Sequence, residues 1–188
     1  LALDPMGPVA NALLAFGGPD LLAAHATMLD AVPGARAALV FDDSGRLACS
    51  GGRVSGVVPW VPADRVDLLA VLTRDGLALV REGIAVEPVP GSGLAAAGAS
   101  RLLLRDAPLL ASWSDARAAR RALAHARLDA AALMLGQMGF AAEYSRRYAL
   151  DRIAFGKPIA HHQALAFLIV DMRMAVDGAR EMVREAAW

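Results

Sequence analysis

Apolar positions along the chain follow three different rhythms. Residues 8–32 keep helical spacing, with Val9, Leu13, Leu14 and Phe16, then Leu21, Leu22, His25, Met28 and Leu29, on recurring turns. Gly17-Gly18-Pro19-Asp20 divides this stretch into two pieces; Asp20 is placed to cap the second, and Pro33-Gly34 to stop it. From 36 to 112 the pattern shortens to apolar runs, Ala37–Phe41, Val57–Val61, Leu68–Leu72 and Leu77–Val80, separated by turn signals. Arg74-Asp75-Gly76 predicts a hairpin turn in which Gly takes a positive φ, and Pro88, Pro90, Gly91 and Gly93 predict a second break. Beyond 113 the helical period returns. Ser114-Asp115 offers a cap, and strong helix formers then run to Asp151, with Leu128, Ala131, Leu135, Met138 and Ala142 on one stripe and Phe140, Tyr144 and Tyr148 on another. Gly156-Lys157-Pro158 predicts a stop, and a second helix from about His161 carries Leu165, Ile169, Met172 and Val176 on one side. The expected fold is α+β: a small antiparallel β-barrel or sandwich domain, then a helical hairpin that is half of a four-helix bundle. Its expected divisions are 1–35, 36–112 and 113–188.

Composition narrows the classes. In 188 residues, 56% are hydrophobic and 20% charged, and 19 basic side chains balance 19 acidic ones. Such a chain buries a core rather than staying disordered, and it lacks the basic surplus that a nucleic-acid partner requires. Eighteen of the basic residues are Arg and only Lys157 is Lys. The single Cys49 cannot form an internal disulfide, which favours a reducing, cytoplasmic setting and excludes a multi-cysteine zinc site. No apolar run approaches the ~20 residues of a membrane span. Leu1 is not an initiator Met, and Arg184-Glu185-Ala186-Ala187-Trp188 has the composition of mid-helix, so a piece of a longer protein is expected. His161-His162 is a weak metal signal without nearby Cys or paired carboxylates, and no metal is expected. Ser50-Gly51-Gly52 and Gly91-Ser92-Gly93 are turn sequences, since neither precedes a helix with a phosphate-loop Lys.

The most specific stretch runs from Tyr148 to Gln163, Tyr-Ala-Leu-Asp-Arg-Ile-Ala-Phe-Gly-Lys-Pro-Ile-Ala-His-His-Gln. It resembles the acyl-CoA dehydrogenase family pattern Tyr-x-x-x-Arg-x-x-Phe-Gly-(Lys/Arg)-x-(Ile/Leu)-x-x-x-Gln, and Val170-Asp171-Met172 fills the family's next helical step. A weaker likeness precedes it: Gly56-Val57-Val58-Pro59-Trp60-Val61-Pro62 is similar to the family's Gly-x-Lys-x-Trp-Ile-(Thr/Ser) strand. The resemblance implies the end of an N-terminal helical domain, a middle β-domain and the first two helices of a C-terminal bundle.

It also implies FAD as cofactor. Arg152 would reach the pyrophosphate of a neighbouring subunit's FAD, and Phe155 and Gln163 would lie near its adenosine half, with Ile159 and His162 beside them. Trp60 and Val61 would flank the isoalloxazine ring. Arg127 would stand on the substrate side, and Ala124 replaces a family Asp there. The implied reaction takes an acyl-CoA to its trans-2-enoyl form and passes electrons to an electron-transfer flavoprotein. One family position for the catalytic Glu falls at about Ala126, which cannot act as a base, and the other is not among these 188 residues, so no catalytic residue is assigned. Pro62 replaces a hydroxyl residue, and Phe41-Asp42-Asp43-Ser44-Gly45 stands where the family has Glu-Pro-Gly-x-Gly-Ser-Asp. The expected assembly is a homo- or hetero-oligomer, a dimer or tetramer sharing FAD. Two alternatives stay open: a non-catalytic partner subunit lending only adenosine-side contacts, and a plain helical interaction module.

Overall fold

A computed structural model describes residues 6–30, 35–90 and 98–188, without the side chains of Met6 and of residues 27–30. The expected stop at Pro33-Gly34, the side chains of Met28 and Leu29 and the break at Gly91 and Gly93 lie outside the described residues. The chain divides into two compact units, Leu1–Ala126 and Arg127–Trp188.

In the first unit, α1 (Met6–Asp30) bends at Gly18, whose φ of 64° is non-helical, and resumes with Pro19. Proline is suited to that opening position because its missing N–H would lack a helical partner anyway. Asp20 therefore lies inside the first turn of the second piece, and the expected cap position is held by Gly18 instead. Among the described residues seven strands follow: β1 (Ala37–Phe41), β2 (Leu47–Ser50), β3 (Arg53–Val61), β4 (Leu68–Leu72), β5 (Gly76–Val80), β6 (Ile84–Pro88) and β7 (Ser100–Ser114). They form one curled sheet in the order β1-β4-β5-β7-β3-β2, with β6 also paired to β7. Every pairing is antiparallel except β1 with β4, which is parallel. The chain between β1 and β4 is long enough for the crossover that a parallel return requires.

The central strands β4 and β5 are buried on both faces, and the alternation of side chains sends each face to a different core. Leu68, Ala70, Leu72, Leu77 and Leu79 pack with Val9, Ala12 and Leu13 of α1 and with Ala119 and Ala122 of α2 (Ala116–Asp151). Leu69, Val71, Ala78 and Val80 pack on the other side with Val54, Val58, Val61, Leu102 and Leu104. The β4–β5 turn is tied by Thr73, whose Oγ accepts the N–H groups of Asp75 and Gly76. Gly76 does not carry the expected positive φ; it is glycine because a Cβ there would collide with the carbonyl of Trp113 on β7. The long β7 joins both halves of the sheet, pairing β3 and β6 with its first part and β5 with its second. Between them Asp106 takes φ 53°, held by an ion pair to Arg53 at 2.7 Å and by its N–H donating to Ser55 Oγ at 2.8 Å.

The second unit holds most of α2, a two-stranded hairpin of β8 (Ile153–Ala154) and β9 (Lys157–Pro158), a 3-10 turn (Ile159–His161) and α3 (Gln163–Ala187). Asp115 caps α2 as expected, accepting the N–H groups of Arg117 (2.8 Å) and Ala118 (3.0 Å). The Ala118 N–H foremost holds its carboxyl below the usual range. The helix stops at Asp151, ahead of the expected Gly156-Lys157-Pro158, because the β8–β9 pairing takes over the backbone groups. Helix α3 starts two residues later than expected, after His161 has closed the 3-10 turn. Val176 is buried, and its Cγ1 faces Gly139 at a spacing that would also accommodate a Cβ. No helix among the described residues is long and apolar enough to cross a membrane.

Candidate functional site

The hairpin after α2 brings five of the expected residues together. Arg152 is clamped by its main chain: its N–H donates to the carbonyl of Tyr148 (2.9 Å), and its carbonyl accepts the N–H of Ile159 (2.8 Å). Its side chain is exposed, and no carboxylate pairs with it among the described residues. Ile153 pairs with Pro158 and Ala154 with Lys157, leaving Phe155-Gly156 as a two-residue turn. Both turn residues have positive φ, 54° and 77°, the geometry for which Asn-Gly or Gly-Gly is favoured. A bulky aromatic in that region stores strain of about 1–3 kcal/mol. Phe155 is nonetheless 95% exposed at the tip. It meets the ring of His162 edge-on at 6.0 Å, while His162 Nε2 lies 3.4 Å from the Ala154 carbonyl. Ile159 is half-buried, and Gln163 is exposed at the first turn of α3. An arginine fixed by its main chain and an unburied aromatic thus share one hairpin.

Replacing Phe155 with Asn separates strain from function. Asn tolerates the left-handed region, so Phe155→Asn is expected to leave the melting temperature unchanged or raise it, while removing the apolar tip. A thermal melt alongside a ligand titration checks this, and a clear loss of stability contradicts it.

The remaining expected residues lie apart from the hairpin in the chain. On β3, Trp60 is 57% exposed, whereas Val61 is only 2% exposed and sits in the sheet core. The β3–β7 register shifts between Val58 and Val61, which puts Val61 in the core with Val54 and Val58, so its side chain is not open to a ligand and only its main chain could be. Pro62 is exposed and has neither an N–H nor a hydroxyl to donate. Arg127 and Ala124 are exposed on α2, and Ala126 is half-buried. Among the described residues no cluster of His, Cys, Asp and Glu could hold a metal.

Asp42 was not among the expected site residues, although Asp-x-Ser-Gly is a turn signature readable in sequence. Its Oδ1 accepts the N–H of Ser44 (3.3 Å), the hydroxyl of Ser44 (3.2 Å) and the N–H of Arg46 (3.1 Å), and its Oδ2 accepts the N–H of Leu47 (2.9 Å). Burial pushes this carboxyl up, but the N–H groups of Leu47, Arg46 and Ser44 and the Ser44 hydroxyl outweigh it, and the net shift is downward. The stability contributed by the loop is therefore complete above the unfolded Asp value of about 3.9 and lost as the pH falls through the lower folded value. Urea midpoints measured against pH should fall in that acid range, and Asp42→Asn should flatten the fall; an equally steep decline in the variant contradicts the assignment. Cys49 is exposed; burial first, then the charge of Asp42, raises its thiol above the usual value.

Residues 116–188 match the family model described as acyl-CoA dehydrogenase, C-terminal domain. Residues of this chain are 45% identical over 62 positions to a probable acyl-CoA dehydrogenase, YngJ, of Bacillus subtilis (strain 168), covering 33% of this chain and 16% of that protein. Residues 116–188 are thus similar in sequence to the C-terminal domain of acyl-CoA dehydrogenases. The fold of the chain is similar over 98% of its length to the ChsE4-ChsE5 complex from Mycobacterium tuberculosis, at TM-score 0.78, 24% identity and 55% of that chain. It is likewise similar over 97% of its length to PigA, solved with FAD and proline, at TM-score 0.76, 19% identity and 56% of that chain. The chain thus spans little more than half the length of these solved structures, and its matched segment a much smaller part of the curated relative.

Proposed function

We propose that this chain serves an FAD-dependent dehydrogenase that converts an acyl-CoA thioester to its trans-2-enoyl form, with the Arg152–Gln163 hairpin gripping the adenosine-diphosphate half of the cofactor. The observation that carries the reading is the tip itself: Phe155 held exposed against its backbone preference, on a stem that fixes Arg152. A guanidinium fork matches a pyrophosphate better than an ammonium does, and an aromatic ring covers an adenine face. Ile159, His162 and Gln163 would complete that end, Trp60 and the main chain of Val61 would border the ring system, and Arg127 would stand toward the substrate. FAD, when bound, supplies the acceptor for the hydride leaving the substrate's β-carbon. No residue here is assigned as the base, because Ala126 has no group that can take a proton.

In this reading 1–35 is the end of a helical domain, 36–112 the middle β-domain and 113–188 the first two helices of a bundle. A hairpin exposed in this way suits a neighbouring subunit's cofactor, so the assembly is a homo- or hetero-oligomer, a dimer or tetramer. Its electrons pass to an electron-transfer flavoprotein in cytoplasmic lipid metabolism. PigA described with FAD, and a two-protein complex among the similar folds, support the cofactor and the shared assembly.

A second reading is a non-catalytic partner subunit that lends only the adenosine-side contacts. It is favoured by Pro62 and by the Asp42 loop, whose donors are already satisfied internally. Visible absorption tests both. Flavin in the protein purified alone supports the enzyme; flavin only on co-expression with a dehydrogenase partner supports the lending subunit. A colourless protein under both conditions overturns the proposal.

A further inference from the structure

The loop joining β1 to β2 is built like an anion site with the anion already in it. Its N–H groups at Ser44, Arg46 and Leu47 converge on one point, the left-handed Gly45 (φ 69°) lets the chain wrap around that point, and the Ser44 hydroxyl turns to it as well. Convergent main-chain N–H groups of this kind form a concavity that binds phosphate groups. Here the concavity contains the carboxylate of Asp42, anchored by its own N–H donating to the Leu72 carbonyl at 2.9 Å and by the buried Leu47 at the far end of the loop.

We propose that Asp42 is an internal plug: its carboxylate stands in for a ligand's phosphate in this loop, so this chain does not seat a phosphate or pyrophosphate group there. The inference rests on the reading of the chain as an FAD-dependent family member for its meaning, but not for its geometry. A phosphate entering the loop would meet a fixed negative charge and would have to displace an acceptor that satisfies every one of those donors. The net downward shift of Asp42, and the upward push its charge exerts on Cys49, accord with a carboxylate that stays ionised at neutral pH. Together with Pro62, which offers no donor just after β3, this makes the β-domain a poor holder of a flavin nucleotide. The exposed hairpin of the second unit remains available to one.

Hydrogen exchange of the full chain, read by mass spectrometry over residues 42–47 and 152–163, tests the plug with inorganic pyrophosphate and FAD as separate probes. In the wild type, the 42–47 amides are expected to be protected without ligand and unchanged by millimolar pyrophosphate. In Asp42→Ala they should exchange about tenfold faster and regain protection when pyrophosphate is added. The plug is overturned if pyrophosphate protects the wild-type loop further, or if the alanine variant gains nothing from it. Should the alanine variant fail to fold, Asp42→Asn keeps one acceptor and drops the charge. That variant should respond to pyrophosphate more than the wild type does, and an unchanged response overturns the proposal. The FAD arm reports the functional reading separately. Protection of 152–163 by FAD supplied with a dehydrogenase partner supports the hairpin's role whatever the loop does, and its absence removes that role while leaving the plug to the pyrophosphate result.

Discussion

Replacing Arg152 with alanine is expected to weaken FAD binding by the assembled protein about 10- to 150-fold, the equivalent of about 1.5–3 kcal/mol for charge-assisted hydrogen bonds. Stability should change little. The side chain is exposed, and the bonds that hold residue 152 in place are made by its main chain, to Tyr148 and Ile159, which alanine keeps. Arg152→Lys should recover only part of the loss, since an ammonium retains the charge but lacks the planar fork that meets two phosphate oxygens together. The check is flavin retained per chain by visible absorbance, beside a thermal melt of the same preparation. Unchanged flavin affinity in the alanine variant, with the fold intact, would remove the hairpin from the cofactor site. A large drop in melting temperature would instead show that the side chain carries a structural load.

How much of this was legible in sequence differs from residue to residue. The cap at Asp115 and the kink at Gly18-Pro19 are local: each depends on a few neighbouring dihedrals and donors, so residue type sufficed, although Asp20 falls two positions past the cap. The parallel pairing of β1 with β4 is non-local, decided by which apolar surfaces can be buried together, and no short-range signal encodes it. Gly76 was placed correctly at a turn but for the wrong reason, because the constraint comes from the Trp113 carbonyl on a strand distant in sequence. Period-two alternation from Val54 and Val58 would send Trp60 inward; the register shift between Val58 and Val61 buries Val61 instead, and no local signal in the sequence encodes it. The motif names Arg152, Phe155, Ile159, His162 and Gln163, and these residues lie on one hairpin and the turn that follows it. The positive φ of Phe155 was hidden, since sequence preference argues for Asn or Gly there.

The largest stability change is expected at the centre of the first unit. Leu79→Ala should lower unfolding stability by about 2–5 kcal/mol, the range for a fully buried leucine whose cavity does not collapse. Leu79 has no exposed surface and stands in the middle of β5, opposite Ala70 on β4 and Ala111 on β7. Its cross-strand neighbours are small, so they cannot expand into the space. The rest of its surroundings, Val9 and Leu13 of α1 and Ala119 and Ala122 of α2, are held by their own helices. Leu110→Ala is the control, the same deletion on β7 at a side chain nearly half exposed, and it should cost well under half as much. Urea unfolding followed by circular dichroism measures both. Equal midpoints for the two variants would mean that the helix-covered face of the sheet relaxes freely. In that case α1, β4, β5 and the first turns of α2 would not share the single packed core through which the sheet and its covering helices stabilise one another.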